Sequence, residues 1–364
     1  MTRFRATALG AIAAVALVAG FAPAGQAAEF FKDKTLTLWV GGGVAGGVNA
    51  YGRVFARNVT RHLPGNPDYV ARNLPGAGGV GAVITLNTRG KRDGTHFGTW
   101  AQGAITEPVM RPNKKFNYDM LKFIWIGSLN SSVQTCYVRS DSGIDTVQDA
   151  RDKKVKMAGT GARSASTQRT MILNAAIGTR FVPILGYRGS GGAHLAIERG
   201  EVAGRCSSYD ALVVGNPHWI KEKYIKFLLQ MGFEKHPDIP NVPRARDLVI
   251  NDTGRKIIEF MNLPLAISNA FALPPGTDSA RVKEWRTAWT KTLADPKFIA
   301  EAKKRRMAIS PRNGDEVAAI MRDIYATPPA VVKAAAKALK AEKGRCNPKV
   351  SKKCRGKRKK KKKK

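Results

Sequence analysis

The chain has 364 residues, of which 43% are apolar, enough to bury a sizeable core and to build two domains. Its formal net charge is +35, distributed unevenly: residues 340–364 carry +14, Arg3 and Arg5 add two, and the rest of the chain is still basic at +19. Beyond the first residues no apolar stretch is long enough to span a bilayer, and neither the four cysteines nor the scattered His62, His96, His194, His218 and His236 have zinc-site spacing.

Residues 1–28 read as a secretory signal peptide. Arg3 and Arg5 form a charged start, residues 8–22 an apolar run, and Gly25-Gln26-Ala27-Ala28 a small-residue cleavage site. Cleavage there predicts an exported, soluble mature chain. An oxidising compartment makes disulfides expected among Cys136, Cys206, Cys346 and Cys354. Three pairings are possible. Cys136 with Cys206 would join two predicted strands, and Cys346 with Cys354 would close a small loop in the tail.

Residues 34–40 alternate and are rich in β-formers, which predicts a first strand. It runs into Gly41-Gly42-Gly43-Val44-Ala45-Gly46-Gly47, after which a helix is predicted over 49–62. Strand–loop–helix then recurs. A strand over 69–73 precedes Pro75-Gly76-Ala77-Gly78-Gly79 and a helix over 82–88, and a strand over 97–100 ends at Gln102-Gly103. Strands are predicted over 123–129 and 135–138, a short helix capped by Asp145 or Thr146 over 145–151, and a strand over 155–158. The run 159–167 is a third glycine- and hydroxyl-rich loop, opening a helix that reaches Ile177. A strand over 181–185 feeds Tyr187-Arg188-Gly189-Ser190 and a helix to Arg199; strands follow over 202–206 and 225–231, and Ser207-Ser208-Tyr209-Asp210 leaves the first of these. A proline-rich link at 236–243, a helix near 257–261, a strand-like run at 265–273 and four helices (278–293, 296–305, 315–325, 330–343) complete the pattern. From Gly344 the lysine-rich end has no core-forming pattern. The alternation predicts a largely parallel α/β sheet, with ligands expected at the carboxyl ends of its strands.

The chemistry follows from the loops. Glycine lets the backbone approach a ligand closely, and a helix that starts there aims free N–H groups at it. Such a site suits a phosphate or a carboxylate equally. No Gly-x-Ser-x-Gly elbow, His-Glu-x-x-His pair or convincing dinucleotide fingerprint is present, which argues against an enzyme and gives no cofactor.

Several segments together resemble the solute-binding proteins of tripartite tricarboxylate transporters, the Bug family: Gly46-Gly47-Val48-Asn49-Ala50-Tyr51-Gly52-Arg53, Asn73-Leu74-Pro75-Gly76-Ala77-Gly78-Gly79, Phe123-Ile124-Trp125-Ile126-Gly127, Gly186-Tyr187-Arg188-Gly189, Arg199-Gly200-Glu201-Val202 and His236-Pro237-Asp238-Ile239-Pro240-Asn241-Val242-Pro243. The resemblance spans about residues 30–329. It implies a type II periplasmic binding-protein fold, two α/β lobes joined by two crossover strands near 124–129 and 225–231. Lobe one would comprise 29–128 and 232–339, lobe two 129–231, and 340–364 would be a disordered tail. It also implies a monomeric periplasmic receptor that hands a small organic acid, of tricarboxylate or dicarboxylate type, to membrane permease subunits. The family often has Asp where this chain has Asn49, which removes either a repulsive charge from an anion pocket or a partner for an ammonium group.

On this reading lobe one offers Gly46, Gly47, Val48, Asn49, Ala77, Gly78, Gly79 and Gln102. Lobe two offers Thr160, Gly161, Ser164, Thr167, Gly189 and Ser190, with Tyr209 and Asp210 closing the far side. Amides and hydroxyls would hold a carboxylate without any buried arginine. Plainer roles exist for several of these residues: Ser164 and Thr167 as helix caps, Tyr209 as a packing residue, Gln102 as a solvated strand end, Arg163 and Arg188 as solvated loop charges. A second class of function is a polyanion- or membrane-surface-binding protein acting through the lysine-rich tail. No aromatic residues interleave those lysines to stack on bases, so no specific nucleic acid is expected.

Overall fold

A computed structural model of the protein describes residues 30–340 apart from 45, 76, 113–117 and 163. The predicted signal peptide, the lysine-rich stretch from residue 341, Cys346, Cys354 and Arg163 lie outside the described residues.

The first part of the chain builds strand–helix units: β1 (Thr35–Gly41), α1 (Gly47–Val59), β2 (Asp68–Asn73), α2 (Val80–Arg89), β3 (His96–Trp100) and α3 (Gly103–Met110). The strand β4 (Ile124–Asn130) follows. The middle third comprises β5 (Gln134–Arg139), α4 (Val147–Asp152), β6 (Val155–Gly159), α5 (Ala165–Ile177), β7 (Phe181–Leu185), α6 (Gly189–Glu198), β8 (Gly204–Ser208), α7 (Tyr209–Gly215), α8 (Pro217–Lys221) and β9 (Ile225–Met231). The last third holds α9 (Asp252–Asn262), β10 (Ser268–Leu273), α10 (Ser279–Ala294), α11 (Pro296–Lys304), β11 (Arg312–Asn313), α12 (Gly314–Tyr325) and α13 (Pro329–Ala338).

These strands form two sheets. The first has the order β11-β4-β10-β3-β1-β2 and the second β7-β6-β8-β5-β9. Neither is largely parallel. In the first, β1 runs parallel to β2 and β3, while β10 is antiparallel to β3 and β4. In the second, β6 is parallel to β7 and β8, while β5 is antiparallel to β8 and β9. The antiparallel partners are the strands that lead the chain out of one sheet or back into it. The chain leaves the first sheet after Asn130, reaches the second at Gln134 through residues 131–133, and returns after Met231 by the proline-rich link.

Local chemistry sets the element ends. Thr146 and Asp149 form a capping box at α4, as do Asn313 and Glu316 at α12. Asn251 caps α9 and Asp278 caps α10. One face of the first sheet packs on α1, α10 and α11 through an aromatic cluster of Phe55, Phe97, Phe271, Trp285 and Trp289. Each such ring contributes about 1.5–3 kcal/mol by leaving water. The second core cluster runs from α2 and α3 through Trp100 and Trp125 to Val138, Ile172 and Leu173 on the second sheet and its helix. One core cluster thereby includes residues of both sheets, and loops of both line a common gap. Cys136 and Cys206 lie opposite each other on β5 and β8 and form a disulfide, with Cα atoms 4.0 Å apart.

Candidate functional site

The gap between the sheets is a cavity of about 690 Å³. The carboxyl end of β1 supplies its first wall. Asn73 donates to the carbonyl of Gly42 at 2.9 Å, and Asn49 donates to that of Val44 at 2.6 Å. The Asn49 carboxamide oxygen in turn accepts from Arg53 and Asn73, each at 3.0 Å. Asn49 is thus a brace behind the glycine loop and does not line the cavity, unlike Gly46, Gly47 and Val48 in front of it. Gly46 caps α1 with no side-chain hydrogen bond, so the first N–H groups of the helix keep their free valence toward the cavity.

The second wall comes from Gly78 and Gly79, at φ +70° and +91°. A Cβ at position 79 would sit 2.8 Å from the Gly41 carbonyl oxygen, so only glycine lets this loop lie against β1. Ala77 begins the same single turn. Gln102, just before α3, lines the cavity and is not a solvated strand end: it donates to Ser268 Oγ and accepts from Arg169.

The opposite wall starts at α5. Ser164 is both its N-cap and a lining residue, accepting from the Thr167 N–H at 3.4 Å and donating to the Gly161 carbonyl at 2.9 Å. Thr160, Ala165 and Ser166 line the same wall. Thr167 sits behind them, its hydroxyl against Gly159, and Gly161 is likewise outside the lining. Gly189 and Ser190 start α6, whose N-cap Arg188 makes no side-chain cap and stands exposed at the rim. Across the mouth the lobes approach through glycine backbone and one small side chain. A Cβ on Gly43 would lie 3.6 Å from the Gly189 Cα, and one on Gly47 would lie 3.1 Å from the Ala211 Cβ.

Tyr209 and Asp210 do not close the far side. Tyr209 donates to Asp238 at 3.2 Å and its ring stands 4.1 Å from that of His236; burial and Asp238 push its hydroxyl up to about 12. Asp210 accepts from Asn130 at 3.2 Å, and Asn130 accepts from Asn269 at 2.9 Å. Asp210 thereby links α7 to β4 of the first sheet and Tyr209 packs on the proline-rich link; neither is among the lining residues.

The sequence reading missed the floor. Arg169 on α5 and Arg205 on β8 both line the cavity, each 6% exposed. The expectation of a site without buried arginine is therefore overturned. Further additions include Tyr51, Trp100, Ser132, Gln134, Ser207, Ser208, Ser268 and Asn269. Behind the floor, the Tyr137 hydroxyl lies 3.3 Å from both Ser207 Oγ and His194 Nε2. Burial, and then the charge of Arg205, pull His194 from 6.5 down to about 4. Native His194 is therefore neutral at a pH where the unfolded chain binds a proton. Stability is expected to fall as pH drops from about 6.5 toward about 4, and to fall less steeply in His194→Gln. Urea titrations of both proteins across that range check it; parallel curves would contradict it.

No group of three or more metal-ligating side chains is present among the described residues, and no described helix is long and apolar enough to cross a membrane.

The sequence pattern of the family described as "Tripartite tricarboxylate transporter family receptor" matches residues 52–336. The chain belongs to this family. Three solved structures share the fold of this receptor. The periplasmic binding protein BugD is 20% identical, with a TM-score of 0.64 over 84% of this chain and 97% of its own. MatC from Rhodopseudomonas palustris, with bound malate, is 18% identical, with a TM-score of 0.64 over 82% of this chain and 98% of its own. A second R. palustris protein, with adipate, is 16% identical, with a TM-score of 0.64 over 83% of this chain and 97% of its own. The receptor thus has the two-lobed type II periplasmic binding-protein architecture that the resemblance implied.

Proposed function

We propose that this receptor captures a small organic acid outside the cytoplasm and delivers it to the membrane permease of a tripartite tricarboxylate transporter. The supporting observation is the convergence of the α1, α5 and α6 N-termini and the Gly78-Gly79 loop on one cavity. Helix N-termini carry partial positive charge and unpaired N–H donors, which suits a carboxylate. The cavity has room for a molecule of several carbon atoms. Malate and adipate in two structural relatives are acids of this class. Binding across both lobes favours the closed arrangement, so capture and closure are one event.

Export to the periplasm through a cleaved leader, and action as a monomer, belong to the same reading. Export is supported by the Arg3/Arg5 start, the apolar run and the small-residue site. The alternative, function through the lysine-rich end, has no support in the described residues.

A thermal-shift screen of the mature chain against a carboxylate library tests the proposal. A true ligand at about 100 times its Kd stabilises by about 2.7 kcal/mol and raises the melting temperature. Removing residues 344–364 should leave that rise intact. A screen in which only polyanions bind, and only through the tail, would overturn the transport reading.

A further inference from the structure

Arg169 and Arg205 stand out within the cavity. Each is more than nine-tenths buried, and neither forms an ion pair with an acidic side chain among the described residues. Nε and Nη1 of Arg205 are shut away from solvent with no hydrogen-bond partner. Arg169 has a neutral partner: its Nη2 donates to the Gln102 carboxamide oxygen at 2.5 Å, across the gap from the second sheet's helix to the first sheet's loop. The buried carboxylates Glu107 and Asp210 have partners elsewhere. Glu107 pairs with Arg111 and accepts from Gln168, and Asp210 accepts from Asn130. Burial and mutual repulsion pull Arg169 down to about 9, and burial pulls Arg205 down as well.

An unpaired guanidinium in a dry site is costly, and a fold tolerates two side by side only when something else supplies the counter-charge. Arginine does not shed its proton in the neutral range, so the missing negative charge must arrive from outside. Both side chains line the same cavity that the helix N-termini face.

We propose that Arg169 and Arg205 are charge-selecting residues that make the receptor specific for a dianion, a dicarboxylate whose two negative charges balance the two guanidiniums. This rests on the carboxylate-receptor reading above and narrows it. Helix N-termini alone accept a monocarboxylate as readily as a dicarboxylate. The arginine floor does not, because a single charge leaves one guanidinium buried and uncompensated. The Gln102 oxygen accepts from Arg169, and a ligand carboxylate would displace it. Guanidinium also favours a planar, two-oxygen acceptor, which selects carboxylate over a hydroxyl or an amide.

Calorimetric titration of the mature full-length protein tests this with matched probes: succinate, malate and adipate against the monoamide of each, which keeps size and removes one charge. At least one diacid is expected to bind roughly 10- to 100-fold more tightly than its monoamide. Arg169→Met and Arg205→Met are each expected to bind that diacid 10- to 100-fold more weakly, with the ratio to the monoamide shrinking toward one. Their ligand-free melting temperatures should hold or rise, since an unpaired buried charge is gone. Equal affinity of the wild type for diacid and monoamide overturns the charge selection but leaves the carboxylate reading standing. Binding of none of these six probes nor of any other carboxylate overturns both. The wild-type ratio decides the question even if a methionine variant fails to fold. Arg205→Lys, which keeps the charge without the planar fork, should retain part of the preference.

Discussion

A protein carrying both Cys136→Ser and Cys206→Ser will unfold about 4 kcal/mol more easily than the wild type, because the disulfide closes a loop of sequence separation 70 and that loop's freedom returns to the unfolded chain. The two sulfurs join directly opposed residues of β5 and β8, near the middle of the second sheet, and both cysteines are almost fully buried. Two measurements check this. Urea unfolding should show a lower midpoint, with a steeper dependence on denaturant as the unfolded chain expands. Reducing agent added to the folded wild type should act slowly, since neither sulfur is exposed. A stability change below about 1 kcal/mol would show that the sheet, and not the bond, does the holding.

Trp289→Ala is the second large effect, expected to cost about 3–5 kcal/mol. The indole is 3% exposed, packed 5.1 Å from the Phe55 ring and 6.3 Å from that of Phe271, between α10 and the first sheet. It also lies so close over Gly127 that a Cβ there would fall 2.4 Å from it, so the sheet has given up a side chain to seat the ring. Because Trp289 does not line the cavity, acid affinity at low temperature should be retained while the urea midpoint drops. Loss of affinity in a variant that is still folded would mean that the lobe's packing and the site are coupled.

Much of the architecture is legible in the sequence because it is carried by local rules. The unit β1–glycine loop–α1 announces itself by alternation, then glycine, then helical spacing, and the same holds for α5 after β6. What escaped has physical causes. The helix α3 was hidden because Gly103 and Pro108 look like breakers, yet Pro108 lies inside it. The antiparallel strands β5 and β10 look like any other buried strand; their direction is set by the path of the chain between sheets and not by composition. Arg169 belongs to a helix that is buried nearly all round, so no polar face separates an interior arginine from a surface one. Arg205, between Gly204 and Cys206, is flanked by residues that give no cue to a cavity. Asn49, Thr167, Tyr209 and Asp210 are polar residues at loop ends whose hydrogen bonds go to neighbouring protein groups. Only the fold shows that those bonds are already taken.

The three residues 131–133 that carry the chain from one sheet to the next span at most about 10 Å, and Ser132 among them is part of the cavity's lining. A rotation of the lobes about this tether, like the opening of a book, would leave Ser132 and Gln134 nearly in place and carry Gly43 and Gly189, on the outer loops, farthest. A bound acid would then part from the outer loops first and from the spine last.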